Sequence, residues 1–566
     1  MARICWAAVA SWELPAPTFA ATYLIARIPG LPQEKDLMLS SIAAEEKRVY
    51  NVRSGLRPLL FPNAHRYQVA FSRCQRSPRS QLLSKLLSLI WFARLTSPRP
   101  TARLAQSLIA SGFGPLTSQA FSIALVPVLF RLYEPSDFGV WAAIQAVAIM
   151  VGSLLSFRFD LALVIERDSL AASRLFLATI GLVCVMSLVL GAVTAIFMRS
   201  IQQLGIGPMP VALGWGWLSL VGLAVVLQAW LMREGAFARI STGVVLNAIT
   251  ANLVQLGGGF SGDGVWLVVG SVVGQGAATL FYVCSIQRST KRPAYSMDVS
   301  GMMTALMRNR RFPQFSLPFT VLSLLRERAP IFIIGAFSTA SLVGVYSQAW
   351  RLTHLPSAFT SASLRPVFFH RAATEGLAPQ GDAVDRIMRW LLIVSSPWIA
   401  LLVFGGDELF MFVLGSRWQG AGWFSAMLVV PASLFMMTNW MDRLLDSIGR
   451  QDLNLRLEAV AAISSVGSLL AMLASGRSLT EAVALQSVML TLSYLAFLWI
   501  CYGAAGWSRS VLLRSIAISG VLGAVVYVML SILRQLLAPV AVIALGAMLG
   551  GAITAIALLR ARRDLL

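Results

Sequence analysis

Charged side chains are rare inside the apolar stretches of this chain, and most of the few that occur fall in two neighbouring stretches. Arg326, Glu327 and Arg328 stand together about 13 residues into one stretch, and Arg351 and His354 stand in the next. Arginine can bind an anionic group through charge-assisted hydrogen bonds, and a carboxylate or an imidazole can carry a proton. We therefore predict anion binding by the arginines and ion coupling by Glu327 or His354.

Helical geometry, at about 100° per residue, gathers polar residues around these charges into two faces. The first face consists of Ser316, Thr320, Ser323 and Glu327, with Arg326 and Arg328 on its flanks. The second face consists of Ser347, Arg351, His354, Ser361 and Arg365. A second interpretation stays open, in which Glu327 and one or two arginines pair permanently because a lone charge is costly in an apolar environment.

The composition shows what surrounds these residues. The 566 residues are 57% hydrophobic and 13% charged, about half of the roughly 25% charge of a soluble domain. Most of the chain must therefore lie in lipid. The net charge of +21 is spread between apolar runs and not clustered on a polar face, so we exclude nucleic acid as a partner.

The elements that position these charges are apolar stretches of about 20 residues, each long enough to cross a bilayer. We predict an all-α polytopic membrane protein with about fourteen transmembrane helices. The predicted spans are 107–130, 137–156, 175–198, 211–231, 240–257, 264–284, 314–336, 340–364, 390–406, 421–441, 457–475, 481–502, 513–532 and 537–558.

Basic residues predict the orientation, because Lys and Arg accumulate on the cytoplasmic side. With residues before the first span in the cytoplasm, 25 basic residues fall in inside loops. The outer loops receive five, namely Arg131, Arg199, Arg417, Arg477 and Arg534. We predict that both termini are cytoplasmic and that the number of spans is even.

An internal repeat divides the spans into lobes. Residues 136–141, SDFGVW, are similar to residues 341–346, SLVGVY, at an offset of 205 residues. Six spans separate the copies, so the repeat is parallel, as in alternating-access transporters that bind substrate between two lobes. The predicted parts are a basic N-terminal extension (1–96), an N-lobe (97–286), a cytoplasmic linker (287–313), a C-lobe (314–503) and two further spans (504–566).

The extension holds 13 basic and five acidic residues. We expect it to be disordered, or to reflect a start codon assigned too early, with residues 84–95 as an amphipathic helix on the lipid surface.

Several motifs resemble those of the Wzx-type oligosaccharide flippases, within the multidrug/oligosaccharidyl-lipid/polysaccharide exporter superfamily. In the first half they are FRLYEPSDFG at 130–139 and RFDLAL at 158–163. In the second half they are FPQFSLP at 312–318, GAF at 335–337, VGVY at 343–346 and PVFFHRAA at 366–373. The resemblance covers roughly residues 100–505. The extension is atypical, and many members have twelve spans, although the related lipid II flippases have fourteen.

The resemblance implies a flippase of the bacterial inner membrane. Its substrate would be an undecaprenyl-pyrophosphate-linked oligosaccharide, moved from the cytoplasmic to the periplasmic leaflet for O-antigen, capsule or exopolysaccharide synthesis, with a polysaccharide polymerase as a possible partner. Arg351, helped by Arg326 or Arg328, would attract the pyrophosphate. Arg158 and Asp160 match the family pattern, but at a helix end they could simply anchor the helix.

Two alternative functions stay open. A cation-coupled drug exporter of the same fold usually has an acidic residue within the first-lobe spans, which this chain lacks. A polysaccharide polymerase or ligase usually needs a large periplasmic loop, and no predicted outer loop exceeds roughly 15 residues.

Enzymatic chemistry finds little support in the residue types. The chain has no Gly-Lys-Ser/Thr phosphate loop, and neither its three histidines nor its five cysteines show metal or disulfide spacing. We expect no metal, no cofactor and no direct use of ATP. Polar amides in the first lobe could bind sugar hydroxyls or could join packed helices; they are Gln119, Asn247, Asn252, Gln255 and Gln275.

Overall fold

The protein is described from a computed structural model, in which fourteen helices of the described part have 18 residues or more. The described residues are 100–166, 168–199, 207–290, 292–294, 298–375, 377–441, 444–447 and 450–565. The predictions for residues 1–96 lie outside them. The long helices are α1 (Pro100–Leu132), α2 (Pro135–Leu154), α3 (Ser169–Ile196), α4 (Pro208–Arg233), α5 (Phe237–Gly259), α6 (Val265–Gln287), α7 (Leu317–Phe337), α8 (Ala340–Glu375), α9 (Gly381–Leu414), α10 (Ala421–Thr438), α11 (Gln451–Ala474), α12 (Leu479–Ala505), α13 (Arg509–Leu536) and α14 (Pro539–Leu565).

Eleven of these helices are long and apolar enough to cross a membrane, and the described residues contain no strand. The predicted all-α, multi-pass membrane fold is therefore confirmed. The exceptions are α1, α7 and α8. Helix α7 carries Arg326, Glu327 and Arg328 in its middle. Such a group of charged residues is expected of a helix that faces a polar site. The count of fourteen spans stays a prediction.

Several helices are longer than the predicted spans. Helix α8 runs to Glu375 and α9 begins at Gly381, whereas the apolar runs were predicted to end at 364 and begin at 390. The difference has a simple cause: hydropathy marks only the part of a helix that suits lipid, and hydrogen bonding continues through the polar turns beyond it.

The two halves pack in the same order. In the first half, α5 packs on α1 and α6, α2 packs on α4, and α4 packs on α3 and α6. In the second half α11 packs on α7 and α12, α8 packs on α10, and α10 packs on α9 and α12. The last two helices, α13 and α14, pack mainly on α9. This arrangement is the parallel repeat that the sequence predicts, while the residue bounds of the lobes stay predictions.

Glycines of the sequence repeat bring the lobes together. Helices α2 and α8 pack closely at their N-terminal ends, which the charge pattern predicts to be the outer end of the bundle. A Cβ on Gly139 would overlap the carbonyl oxygen of Ala340, and a Cβ on Gly344 would overlap that of Pro135. The reciprocal contact requires glycine at both positions because only hydrogen fits between the backbones.

Trp418 completes this contact. It belongs to a short 3₁₀ helix, Ser416–Trp418, between α9 and α10, and its side chain is fully buried. Its indole Nε1 donates a hydrogen bond of 2.9 Å to the carbonyl oxygen of Phe130 in the first lobe. Its ring centroid lies 4.2 Å from that of Phe130 and 5.2 Å from that of Phe138. The lobes are thus closed against each other at the predicted outer end.

Candidate functional site

A polar cavity of about 300 Å³ lies among the helices of the second lobe. Its walls come from the first half of α7, the middle of α12, the last turn of α10 and the first three turns of α11. It therefore extends from mid-bundle toward the predicted cytoplasmic end, opposite the closed contact. Five charged side chains line it: Arg158, Arg326, Glu327, Arg365 and Glu458.

Arg326 is held in place on the cavity wall. It is 4% exposed, and its Nε donates to Oε1 of Glu458 over 2.8 Å while Nη1 donates to the hydroxyl oxygen of Tyr494 over 2.6 Å. Glu327 lies farther away, with 4.0 Å between Nη2 of Arg326 and Oε1. The guanidinium also lies over the rings of Phe435 and Tyr494. In this structure Arg326 is paired, as the second interpretation of the sequence expects, but mainly with Glu458 and not with Glu327.

Sequence reasoning missed Glu458 because the predicted span began at 457, which put this carboxylate at the headgroup level. Helix α11 begins at Gln451, so Glu458 lies two turns inside it. The signal that could have found it is a helix face with spacings of four and three residues, Asn454, Glu458 and Ala461, and all three residues line the cavity.

The predicted polar stripe of α7 meets the cavity through Thr320, Ser323 and Glu327. Glu327 keeps 31% of its side chain exposed, so its carboxylate is accessible from the cavity. Arg328 is absent from the cavity wall. Its Nε is buried and has no hydrogen-bond partner among the described residues.

Arg351 and His354 lie outside the cavity, on the part of α8 that approaches the first lobe. The guanidinium carbon of Arg351 lies 5.6 Å from the ring centroid of Trp141 in α2, and Arg351 forms no ion pair with the described part of the chain. His354 stacks on Trp350, and its Nδ1 lies 2.9 Å from the carbonyl oxygen of that residue. Its Nε2 is buried without a partner among the described residues. The three predicted arginines therefore do not form one cluster.

The first lobe contributes Arg158 to the cavity wall. Phe157 and Arg158 have φ angles of +48° and +63°, and such left-handed backbone costs a non-glycine residue about 1–3 kcal/mol. Asp160 is buried, accepts a 2.8 Å hydrogen bond from Ser156, and lies 3.5 Å from Nη1 of Arg158. Nε of Arg158 has no hydrogen-bond partner among the described residues. The strained turn directs a cation into the cavity, where its hydrogen-bonding capacity is partly unused.

Four of the five polar amides singled out in the first lobe, all except Gln119, join packed helices. Asn247 donates to Gln275 over 2.9 Å, Asn252 donates to Ser122 over 3.1 Å, and Gln255 donates to the carbonyl oxygen of Leu267 over 2.9 Å. In this structure these amides therefore bond between helices, the second of the two roles that the sequence left open for them.

Comparisons with known proteins agree with this architecture. A family model described as "Polysaccharide biosynthesis protein" matches residues 128–422, just over half of the chain. A search of curated proteins finds no match.

Among solved structures, the lipid II flippase MurJ in an inward closed conformation matches with a TM-score of 0.63 and 13% identity, covering 81% of this chain and 99% of that one. A MOP superfamily transporter from Pyrococcus furiosus matches with a TM-score of 0.48 and 15% identity, covering 72% and 96%. An inward-facing multidrug resistance MATE family transporter matches with 0.46 and 16%, covering 71% and 94%. The chain has the fold of MurJ, and the matched family model shows that it belongs to the polysaccharide biosynthesis protein family.

Proposed function

We propose that this protein is a flippase that moves a lipid-linked oligosaccharide across the membrane by alternating access. The observation that carries the proposal is the polar cavity, which is lined by charged residues of both lobes and lies opposite a closed contact between them. MurJ, which shares the fold, is a lipid II flippase. Membership of a polysaccharide biosynthesis family favours a glycan as the cargo.

The charges of the site suit an anionic head group. Three arginines and two glutamates line the cavity, and Arg351 lies at the interface of the lobes without an ion pair among the described residues. An unpaired arginine at membrane depth is costly and marks a substrate or ion pathway. A pyrophosphate would supply the missing negative charge, with Arg158 and Arg365 as the first cations on its route.

The size of the cavity implies that the lobes move. A volume of about 300 Å³ is at the lower end of the range of about 300–1,000 Å³ for small-molecule sites. A head group of several sugars needs more space, so we infer that the lobes separate wider at the predicted cytoplasmic end when the substrate enters, while the prenyl tail stays in lipid.

Our full proposal names an undecaprenyl-pyrophosphate-linked repeat unit as the substrate, flipped from the cytoplasmic to the periplasmic leaflet of the bacterial inner membrane. The product would feed a polymerase that assembles O-antigen, capsule or exopolysaccharide. For ion coupling, Glu327 has better access than His354, because it lines the cavity while the His354 ring is enclosed by Trp350 and Phe435.

The experiment is complementation of a deletion strain with Arg351→Ala and Arg351→Lys. We expect the alanine variant to reach the membrane in normal amount but to lose surface polysaccharide, and the lysine variant to retain part of it because the charge remains. Accumulation of lipid-linked repeat units in the cytoplasmic leaflet would place the defect at translocation. Full polysaccharide in the alanine variant would contradict the role of Arg351, and full polysaccharide in the deletion strain would contradict the flippase itself.

A further inference from the structure

The short helix Val299–Arg308, between the two lobes, has three distinct faces. Ala305 is buried and Leu306 is partly buried against the protein, and the helix packs on α3. On the next face Val299, Met303 and Met307 are 73%, 54% and 62% exposed. At 100° per residue these three side chains lie within 80° of one another. The third face is polar and carries Ser300, Thr304 and Arg308.

The N-terminus of this helix is fixed to the first lobe. Asp298 caps it by accepting 3.0 Å and 2.7 Å hydrogen bonds from the backbone N–H of Gly301 and the hydroxyl of Ser300. The same carboxylate pairs with Nη2 of Arg174 in α3 over 2.9 Å. The apolar face therefore has a defined direction relative to the bundle and cannot turn inward without breaking these contacts.

Basic residues border the apolar face at its C-terminal end. Arg308, Arg310 and Arg311 are all exposed, and none of them has an ion-pair partner in the described part of the chain. An amphipathic helix with one apolar face and neighbouring arginines is the pattern of a helix that lies in the headgroup region of a membrane. Each basic residue near an anionic surface contributes about 1 kcal/mol.

We propose that this helix is an anionic-lipid binding surface: Val299, Met303 and Met307 insert at the boundary of the acyl chains, and Arg308, Arg310 and Arg311 bind the phosphate groups of acidic phospholipids. Charge complementarity favours lipid over a protein partner. The helical bundle itself spans the bilayer, so the three unpaired arginines would lie beside the acidic headgroups of the adjacent leaflet. Lipid binding by this helix is independent of the transported substrate.

The test uses the full-length protein, with its native cysteines replaced, in vesicles of phosphatidylcholine with increasing phosphatidylglycerol. Met303→Cys and the matched control Thr304→Cys, which lies on the polar face, carry the same environment-sensitive fluorophore. We expect brominated lipids to quench the label at 303 and to leave the label at 304 mainly accessible to aqueous iodide. The anionic fraction that gives half-maximal quenching should rise several-fold when the three arginines are replaced by glutamine.

Three results would overturn the proposal. Equal quenching by lipid at 303 and 304 would show that the apolar face has no special contact with the bilayer. A label at 303 that stays open to iodide in vesicles of pure protein and lipid would favour a protein partner for this face. A triple glutamine variant with unchanged lipid dependence would remove the arginines from the binding surface.

Discussion

The contact of Trp418 with the first lobe permits a quantitative prediction about alternating access. If the lobes separate at the predicted outer end during transport, the fully buried indole of Trp418 must leave Phe130 and Phe138 and enter water. Replacing a buried Trp by Ala costs about 3–5 kcal/mol, and this side chain also loses a hydrogen bond worth about 0.5–1.5 kcal/mol. Part of that cost is common to the closed and open states, because Trp418 also contacts its own lobe.

We therefore expect Trp418→Ala to destabilise the closed state relative to the open state by about 3 kcal/mol, or roughly two orders of magnitude in their ratio. The reporter is Ser347→Cys in a variant without native cysteines, since Ser347 is buried in α8 one turn from the Gly344 contact. A membrane-impermeant maleimide is added from the predicted outer side. The rate of labelling should rise in proportion to the open population.

The matched control is Trp423→Ala, which removes an indole that is 62% exposed and lies outside the contact between the lobes. It should leave the labelling rate unchanged. Trp418→Phe, which keeps a ring but loses the N–H donor, should give an intermediate rate. An unchanged rate in a folded Trp418→Ala protein would refute the assignment of this contact as the outer closure.

Four further predictions follow from individual contacts. Gly344→Ala should raise the same labelling rate, since overpacking of a close helix contact costs about 1–3 kcal/mol; a rate equal to that of the parent protein would contradict the close approach. Glu458→Gln should lower the stability in detergent by about 3 kcal/mol because Arg326 stays buried without its counter-charge, and adding Arg326→Met should recover most of the loss, as measured by thermal unfolding. Arg158→Gly should leave the stability nearly unchanged, because the backbone strain that glycine relieves offsets the loss of the 3.5 Å ion pair with the buried Asp160, yet it should lose transport; loss of both would assign Arg158 a mainly structural role. The pKa of Asp298 lies below its ordinary value because its carboxylate accepts hydrogen bonds from the backbone N–H of Gly301 and the hydroxyl of Ser300, and because the Arg174 guanidinium is near. Asp298 should therefore contribute fully to docking of the helix Val299–Arg308 above about pH 4, and this contribution should be lost as the pH falls through the lowered pKa. The loss would be measured as greater mobility of a spin label on that helix.

Much of the architecture could be predicted from the sequence because hydropathy and length are local properties. The apolar runs locate the long helices, and the repeat at Gly139 and Gly344 marks the equivalent helices of the two halves. Only the structure shows that these two glycines touch each other. Equivalence in a repeat indicates similar surroundings and does not by itself indicate contact.

The charged residues show most clearly which properties can be predicted from the sequence and which depend on the tertiary structure. The sequence by itself predicts that Arg326, Glu327 and Arg351 lie at membrane depth, because their distance from the ends of an apolar run is a property of one helix. Tertiary structure decided their partners: Arg326 meets Glu458, 132 residues away, while Arg351 meets an aromatic ring of the other lobe. Pairing depends on which helix faces are packed together, and the energy of a buried charge depends on what lies within a few ångströms of it. No reading of one helix at a time could therefore distinguish Arg326, which has a counter-charge, from Arg351, which has no ion pair among the described residues.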